Sequence, residues 1–333
     1  MKRHGNLFEK IIDSDNLFKA YKAARKGKSK SSQVQEFEKD INGNLLKIQK
    51  LLCTKKFTTS KYKVKTIYEP KKREIYILPF FPDRIVQHAI LQILIPIWDK
   101  LMDEHSYACR TGKGLHKASK KCSEYIRKYK FCLKMDISKF YPSIDHTILK
   151  SIIRRKIKCK ETLFLLDNII DSIDGNKNTP IGNYTSQWFG NLYLNEIDQK
   201  LRHFYKVKAF LRYCDDILVF DDSKDFLHVL KNNVKLNIKE LEMKFSKWTI
   251  SPTLKGIEFI GYRFFRNYIL LRKSTKVRIL KRLNKLPKLF LRNEISINQF
   301  KSSIFSTLGW IKNTNSFNFK FSSELIKFQE VLT

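Results

Sequence analysis

Apolar residues recur at helical spacing over the first 60 positions. Leu7, Phe8, Ile11 and Ile12 form one stripe, and Phe37, Ile41, Leu45, Leu46, Ile48, Leu51 and Leu52 form a second. Between them Lys26-Gly27-Lys28-Ser29-Lys30-Ser31-Ser32 reads as a basic loop. Over residues 62–78 the period changes to two, and Glu69-Pro70-Lys71-Lys72 marks a turn inside it, which predicts a hairpin with a basic tip. The most apolar run, residues 85–102, is interrupted by Gln87, His88, Gln92, Pro96, Asp99 and Lys100. It predicts a buried amphipathic helix broken near Pro96, not a membrane span.

Further along, Phe131-Cys132-Leu133-Lys134-Met135 is a short strand ending on Asp136. A helix through Leu149, Ile152 and Ile153 follows, capped by Asp145 or Ser143, and another starts near Thr185 with Trp188, Phe189, Leu192, Tyr193 and Ile197. Two apolar runs, 209–213 and 217–220, flank Cys214-Asp215-Asp216 closely enough to require a strand–turn–strand hairpin. A helix through Phe226, Leu230 and Leu236 and a strand pair over 256–265 come next. The last 60 or so residues are basic and apolar at helical spacing, a small helical domain.

Composition narrows the function. Hydrophobic residues make up 42% of the 333 and charged residues 29%, a globular balance. Lys and Arg number 66 against 32 Asp and Glu, a net charge of +34 that repels itself unless a polyanion is nearby. Nucleic acid is the polyanion that fits; a soluble basic protein or an anionic membrane surface is the alternative. The 25 Phe, 14 Tyr and 4 Trp are interleaved with the basic residues throughout, which suits a folded groove better than a basic tail. Six cysteines without Cys-x-x-Cys spacing, and an N-terminus with no apolar leader, point to free thiols in a reducing cytoplasm.

The chemistry lies in carboxylates. Adjacent like charges on a tight turn repel, and Asp215-Asp216 is relieved if divalent cations bind there; hard oxygen ligands suit Mg²⁺. Asp136, at the end of a separate strand, is the third candidate. If the two elements lie side by side, two metals roughly 3.5–4 Å apart would activate a hydroxyl and stabilise a departing pyrophosphate.

Five segments in order resemble reverse transcriptases. Met135-Asp136-Ile137-Ser138-Lys139-Phe140-Tyr141-Pro142-Ser143-Ile144 resembles the family's first catalytic motif, and Arg212-Tyr213-Cys214-Asp215-Asp216 its second. Pro82-Asp83-Arg84-Ile85-Val86-Gln87 and Ser106-Tyr107-Ala108-Cys109-Arg110 resemble fingers segments, and Gly256-Ile257-Glu258-Phe259-Ile260-Gly261-Tyr262 the primer grip. The resemblance implies an α+β right-hand fold: N-terminal helices and fingers over 1–130, an α/β palm over 131–270 with a fingers segment near 146–178, and a helical thumb over 271–333. It implies that Asp136 and Asp215 hold two Mg²⁺ ions (Mn²⁺ substituting), with the Ile137 carbonyl as an added ligand and Asp216 more peripheral. Tyr141 would lie under the incoming sugar and exclude a 2′-hydroxyl; an ordinary core aromatic is the other reading. Arg73 and Arg84, with Lys71 and Lys72, are candidates for the nucleotide's phosphates. The two lysines also read as a solvated turn. Lys247 is a candidate acid for pyrophosphate, or a surface lysine.

Thr179-Pro180-Ile181-Gly182-Asn183-Tyr184-Thr185-Ser186-Gln187 discriminates within the family. Ser186-Gln187 stands where group II intron enzymes usually carry Gln-Gly, and it resembles reverse transcriptases of diversity-generating retroelements. So do the segments 108–114 and Leu308-Gly309-Trp310-Ile311-Lys312-Asn313-Thr314-Asn315-Ser316. That resemblance implies a bacterial or phage-encoded enzyme of mutagenic retrohoming. It would copy a template repeat RNA through an RNA–DNA duplex into cDNA mutated at adenines, from dNTPs, with an accessory variability determinant protein and no membrane. Arg73 and Ile181 would then border the nascent base pair and set fidelity, plain packing of the loop being the other reading of Ile181. Gln187 would belong to the loop and helix start that cradle the templating base and the incoming nucleotide. A group II or retron polymerase of ordinary fidelity, a catalytically silent RNA-binding scaffold and a basic nucleic-acid binder without polymerase activity are the rivals. No endonuclease or RNase H pattern is found over the 333 residues.

Overall fold

The computed structural model describes residues 3–68, 72–312, 314–316 and 319. Four helices open the chain: α1 Phe8–Ile12, α2 Ser14–Arg25, α3 Ser32–Glu38 and α4 Ile41–Cys53. Asp13 and Asp40 start α2 and α4 by accepting the Asn16 and Gly43 amides, as short acidic caps do. Strands β1 Lys63–Ile67 and β2 Arg73–Ile77 form the expected antiparallel hairpin, with Lys63 opposite Ile77 and Ile67 opposite Arg73. Lys71, at its tip, lies outside the described residues.

Helix α5, Ile85–Asp99, runs unbroken through Pro96, a correction to the sequence reading. The proline forgoes the bond its N–H would have made to Gln92 O, and the burial of Leu94 and Trp98 on either side carries the helix three residues past it. On α2, Asn16 donates to Ala89 O (3.1 Å) and accepts from Gln92 Nε2 (3.0 Å), which locks the two buried helices together.

After α6 (Leu115–Lys128) comes β3, Phe131–Ile137, then α7 (Phe140–Ser143), α8 (His146–Arg154) and α9 (Lys160–Ile170). Of the two cap candidates Asp145 is the one that caps α8, accepting from Ile148 N at 2.9 Å. Helix α10, Tyr184–Gln199, precedes the hairpin β4 Phe210–Tyr213 and β5 Asp216–Asp221, and α11, Lys224–Glu240, follows. Then come β6 Phe245–Pro252, β7 Ile257–Phe259, β8 Tyr262–Phe264 and β9 Ile269–Leu271. The predicted strand pair is thus a three-stranded meander, because Leu271 and Ile269 pair back onto Tyr262 and Phe264. Helices α12 (Lys273–Leu291) and α13 (Ile297–Ile311) close the described chain.

The chain divides into two compact units. The first comprises Met1–Gly112, Asp136–Lys208 and Asn232–Lys247. Its core packs Trp98 of α5 against Trp188 and Phe189 of α10, with ring centroids 6.5 and 6.3 Å away. Arg110 holds the chain after α5 by donating to Asp99 Oδ1 and to the carbonyl of Asp103, both at 2.6 Å.

The second unit comprises Lys113–Met135, Ala209–Lys231 and the chain from Trp248 onward. Its sheet has the order β4-β5-β3-β6. Tyr125 of α6 packs on Phe220 of β5, centroids 5.5 Å apart. The Leu308–Ser316 segment ties α13 to the meander: Trp310 lies 5.4 Å from the Tyr262 ring and accepts its hydroxyl, and Asn315 bonds both backbone groups of Ile269. Asn313 lies outside the described residues.

Candidate active site

The first unit contains a cavity of about 290 Å³ whose wall gathers Arg84, Tyr141, Ile181 and Gln187. Each is placed by a specific local cause. Asp83 is buried and accepts from Ser60 N (2.9 Å) and Ser60 Oγ (2.7 Å), which fixes the entry to α5 and leaves the next residue, Arg84, on the cavity. Burial pushes the Asp83 carboxyl up, opposed by those two bonds. Burial likewise lowers the Arg84 guanidinium, whose Nε donates to Leu78 O at 3.4 Å. His88 follows one helical turn later, so it shares the face of Arg84. Burial, then the charges of Lys28 and Arg84, depress its pKa to about 4, and the imidazole is neutral at pH 7. Its ring centroid lies 4.6 Å from that of Tyr184.

Tyr141 is held by close packing. Its ring centroid is 4.9 Å from that of Phe140, and both rings lie over Gly190 of α10. A Cβ at Gly190 would stand 3.0 Å from Phe140 and 3.3 Å from Tyr141, so the glycine makes room for the pair. Ile181 is pinned to the hairpin because Tyr76 N on β2 donates to its carbonyl at 2.8 Å. Asn183 donates to the Tyr62 hydroxyl (2.7 Å), and Gln87 accepts Tyr184 N (3.0 Å), which seats the start of α10 on α5. Gln187 is exposed at the rim, whereas the Ser186 hydroxyl is buried on the wall without a protein partner.

Lys28 also lines this cavity, and its wall contains no carboxylate among the described residues. Two cations without a counter-charge make it an anion site with an aromatic floor. Lys72 and Arg73 are exposed at the start of β2. Arg73 stands three residues before Tyr76 on the strand bonded to Ile181.

In the second unit the β4–β5 register pairs Tyr213 with Asp216, leaving Cys214 and Asp215 as a two-residue turn. Cys214 sits in the left-handed region at φ +53°, a conformation that costs a side-chain-bearing residue about 1–2 kcal/mol. Arg212 is fully buried and donates to Cys214 O, which braces the turn from beneath. Asp215 and Asp216 are half-buried. Asp216 Oδ1 lies 3.4 Å from the ammonium of Lys134 on the neighbouring strand β3, and that ammonium also donates to Glu258 O at 2.8 Å.

Along β3 buried and half-buried positions alternate at the end: Lys134 and Asp136 share one face while Met135 and Ile137 point into the core. Asp136 accepts the Ser246 hydroxyl of β6, and Lys247, the next residue, is exposed. Among the described residues no group of three or more His, Cys, Asp or Glu side chains is gathered to hold a metal ion. The donors themselves, ionisable carboxylate oxygens at strand ends, are of the hard type that Mg²⁺ takes.

The comparisons with known proteins bear on this arrangement. Residues 44–264 match the family model described as reverse transcriptase (RNA-dependent DNA polymerase), about two thirds of the chain. The chain belongs to the reverse transcriptase family. A curated relative, protein YkfC of Escherichia coli K12, is 23% identical over 239 residues, covering 57% of this reverse transcriptase chain and 62% of that protein. The group II intron-encoded protein LtrA of Lactococcus lactis is 27% identical over 130 residues, 37% of this chain and 22% of LtrA. The chain therefore spans less than two thirds of these relatives. Among solved structures, a telomerase from Candida albicans in complex with a fragment of telomeric RNA superposes with a TM-score of 0.50 at 13% identity, over 72% of this chain and 52% of that one. That likeness concerns fold alone: α+β, of the right-hand polymerase kind. No described helix is long and apolar enough to cross a membrane.

Lys28, His88 and Ser186 are cavity residues that sequence reasoning did not assign to the site. His88 had a signal, standing four residues after Arg84 on one helix face; Lys28 had none beyond a basic loop.

Proposed function

We propose that this reverse transcriptase is an active RNA-directed DNA polymerase whose first-unit cavity receives the deoxynucleoside triphosphate. The observation that carries the reading is that cavity: residues from three family-like segments, Arg84, Tyr141 and Ile181 with Gln187, meet on a wall that is cationic and free of carboxylates. Arg84 offers a planar fork to phosphate oxygens. The Tyr141 ring, wedged over Gly190, lies under the sugar, where it leaves no space for a 2′-hydroxyl. Ile181 and Arg73 border the new base pair through the Tyr76–Ile181 link, and Lys72, exposed at the start of β2, serves the phosphates.

Asp136, Asp215 and Asp216, with the Ile137 carbonyl, are the ligands we assign to two Mg²⁺ ions, which Mn²⁺ replaces. These residues would hold the ions, which would supply activation of the primer hydroxyl and charge neutralisation for the departing pyrophosphate. Lys247, exposed beside Ser246, is assigned as proton donor to the leaving group. On this reading residues 1–130 belong to N-terminal helices and fingers, 131–270 to the palm with a fingers segment near 146–178, and 271–333 to the thumb. The partners are an RNA template, the RNA–DNA duplex and dNTPs.

Sugar selection tests the reading. Tyr141→Ala is expected to raise incorporation of ribonucleotides relative to deoxynucleotides by about tenfold to hundredfold, the range over which a shaped pocket rejects one added hydroxyl. Unchanged sugar selection in single-nucleotide extension would return Tyr141 to the role of a core aromatic.

We further propose that the enzyme serves a diversity-generating retroelement, copying a template repeat RNA with errors at adenines and acting with an accessory variability determinant protein. The support is Ser186-Gln187, placed at this cavity, together with segments 108–114 and 308–316. Sequencing cDNA made on a defined RNA is expected to show substitutions concentrated opposite adenines, reduced when Ile181 or Arg73 is replaced. Errors spread evenly over the four template bases would reject the retroelement assignment and leave polymerase activity intact.

A further inference from the structure

The turn between α2 and α3 brings Lys28 to the cavity wall, although none of the family-like segments contains it. Gly27 turns the chain at φ +73°, Lys28 N donates to Arg25 O (2.8 Å) and Ser31 N to Lys28 O (2.9 Å). The helices on either side are fixed to the segment that leads into Arg84. Tyr21 and Phe37 lie 5.2 Å apart, Phe37 and Phe80 lie 5.5 Å apart, and Gln33 Oε1 accepts Phe80 N at 2.9 Å. The loop thus rests on the same backbone that carries Arg84.

Lys28 feels this proximity. The Lys28 ammonium is held below its usual range by partial burial and by the Arg84 charge. A fold that places two cations together, with no carboxylate on the wall, leaves an uncompensated site unless an anion occupies it. The buried Ser186 hydroxyl on the same wall has no protein partner and is a further donor without an acceptor.

We infer that Lys28 is a polyphosphate-binding residue, a point charge contributed by the N-terminal helices that grips the nucleotide's phosphates together with Arg84. The inference rests on reading the cavity as the triphosphate site. Arg84 would fix orientation through its fork while Lys28, exposed on its turn and mobile at four rotatable bonds, would follow the chain of phosphates.

The test is titration of the full chain with inorganic tripolyphosphate, followed by calorimetry at about physiological salt, where diffuse attraction to a +34 protein is screened. Lys28→Ala is expected to weaken binding about tenfold, the effect of one charge-assisted contact, and Lys28→Arg to restore it to within about threefold. Thermal unfolding of Lys28→Ala should match wild type, since the side chain lies on an exposed turn.

In single-nucleotide extension the same variant should raise KM for dNTP about tenfold with kcat within about twofold and the primer–template Kd unmoved. Equal tripolyphosphate affinity in wild type and Lys28→Ala would overturn the inference. So would a weakened primer–template Kd with unchanged KM, which would mean that Lys28 holds the nucleic-acid backbone. If tripolyphosphate binds through Lys28 and Arg84 but no dNTP is ever incorporated, the phosphate site stands and the polymerase reading falls.

Discussion

Asp215→Ala should extend an RNA-templated DNA primer at least about 10³-fold more slowly than wild type at saturating Mg²⁺, because losing a shared metal ligand forfeits several kcal/mol and each 1.36 kcal/mol is tenfold. Primer–template affinity should hold within about twofold, since the +34 surface and not this carboxylate binds phosphate. Stability should not fall either. Asp215 and Asp216 are adjacent and half-buried, so deleting one negative charge relieves repulsion in the turn. Asp215→Asn, nearly isosteric, should lose activity similarly, which separates the charge from the shape. Asp216→Ala should cost less activity, as the more peripheral of the proposed ligands, and Lys134 would keep the Glu258 carbonyl as a partner so that the sheet edge holds. Extension by Asp215→Ala within about tenfold of wild type would remove this aspartate from the chemistry, and with it the two-metal reading.

How far the sequence carried these conclusions depends on whether a feature is local. The β4–β5 hairpin was legible because apolar runs on both sides leave only three residues, Cys214 to Asp216, to turn in; the register narrows the turn to two by pairing Tyr213 with Asp216. The Asp145 cap and the β1–β2 hairpin were legible for the same reason. Pro96 misled, since a proline read locally takes no account of packing, and the burial of Leu94 and Trp98 carries α5 three residues past it. The third strand of the meander was missed because Ile269–Leu271 is too short to show a period; what defines it is pairing with Tyr262 and Phe264. Lys28 is the clearest case. A lysine among the other lysines of a basic loop has no pattern that sets it apart, and only the docking of α3 on Phe80 brings it beside Arg84. The partners of Asp216 and Asp136, Lys134 and Ser246, follow from strand neighbours far apart in sequence, and no spacing rule reaches them.

The largest structural effect is expected at Gly182. Its backbone is at φ +126°, and an added Cβ would lie 2.3 Å from the carbonyl oxygen of Tyr76, a backbone atom with no rotamer to move away. Gly182→Ala must therefore push the loop off β2 and break the 2.8 Å bond from Tyr76 N to Ile181 O. Strain of that conformation alone is worth about 1–3 kcal/mol, and the forced separation brings the expected loss to about 3 kcal/mol or more in urea unfolding. Gly175→Ala is the matched control: its φ is +97° but nothing lies within 4 Å of a Cβ there, so only the strain, about 1–2 kcal/mol, should be seen. Because Ile181 and Asn183 flank the glycine on the cavity wall, Gly182→Ala should also raise KM for dNTP, whereas Gly175→Ala should not. Equal destabilisation by the two alanines would mean that the loop relaxes freely from β2. In that case the hairpin does not set the position of Ile181, and the fidelity role proposed for Ile181 and Arg73 loses its physical link.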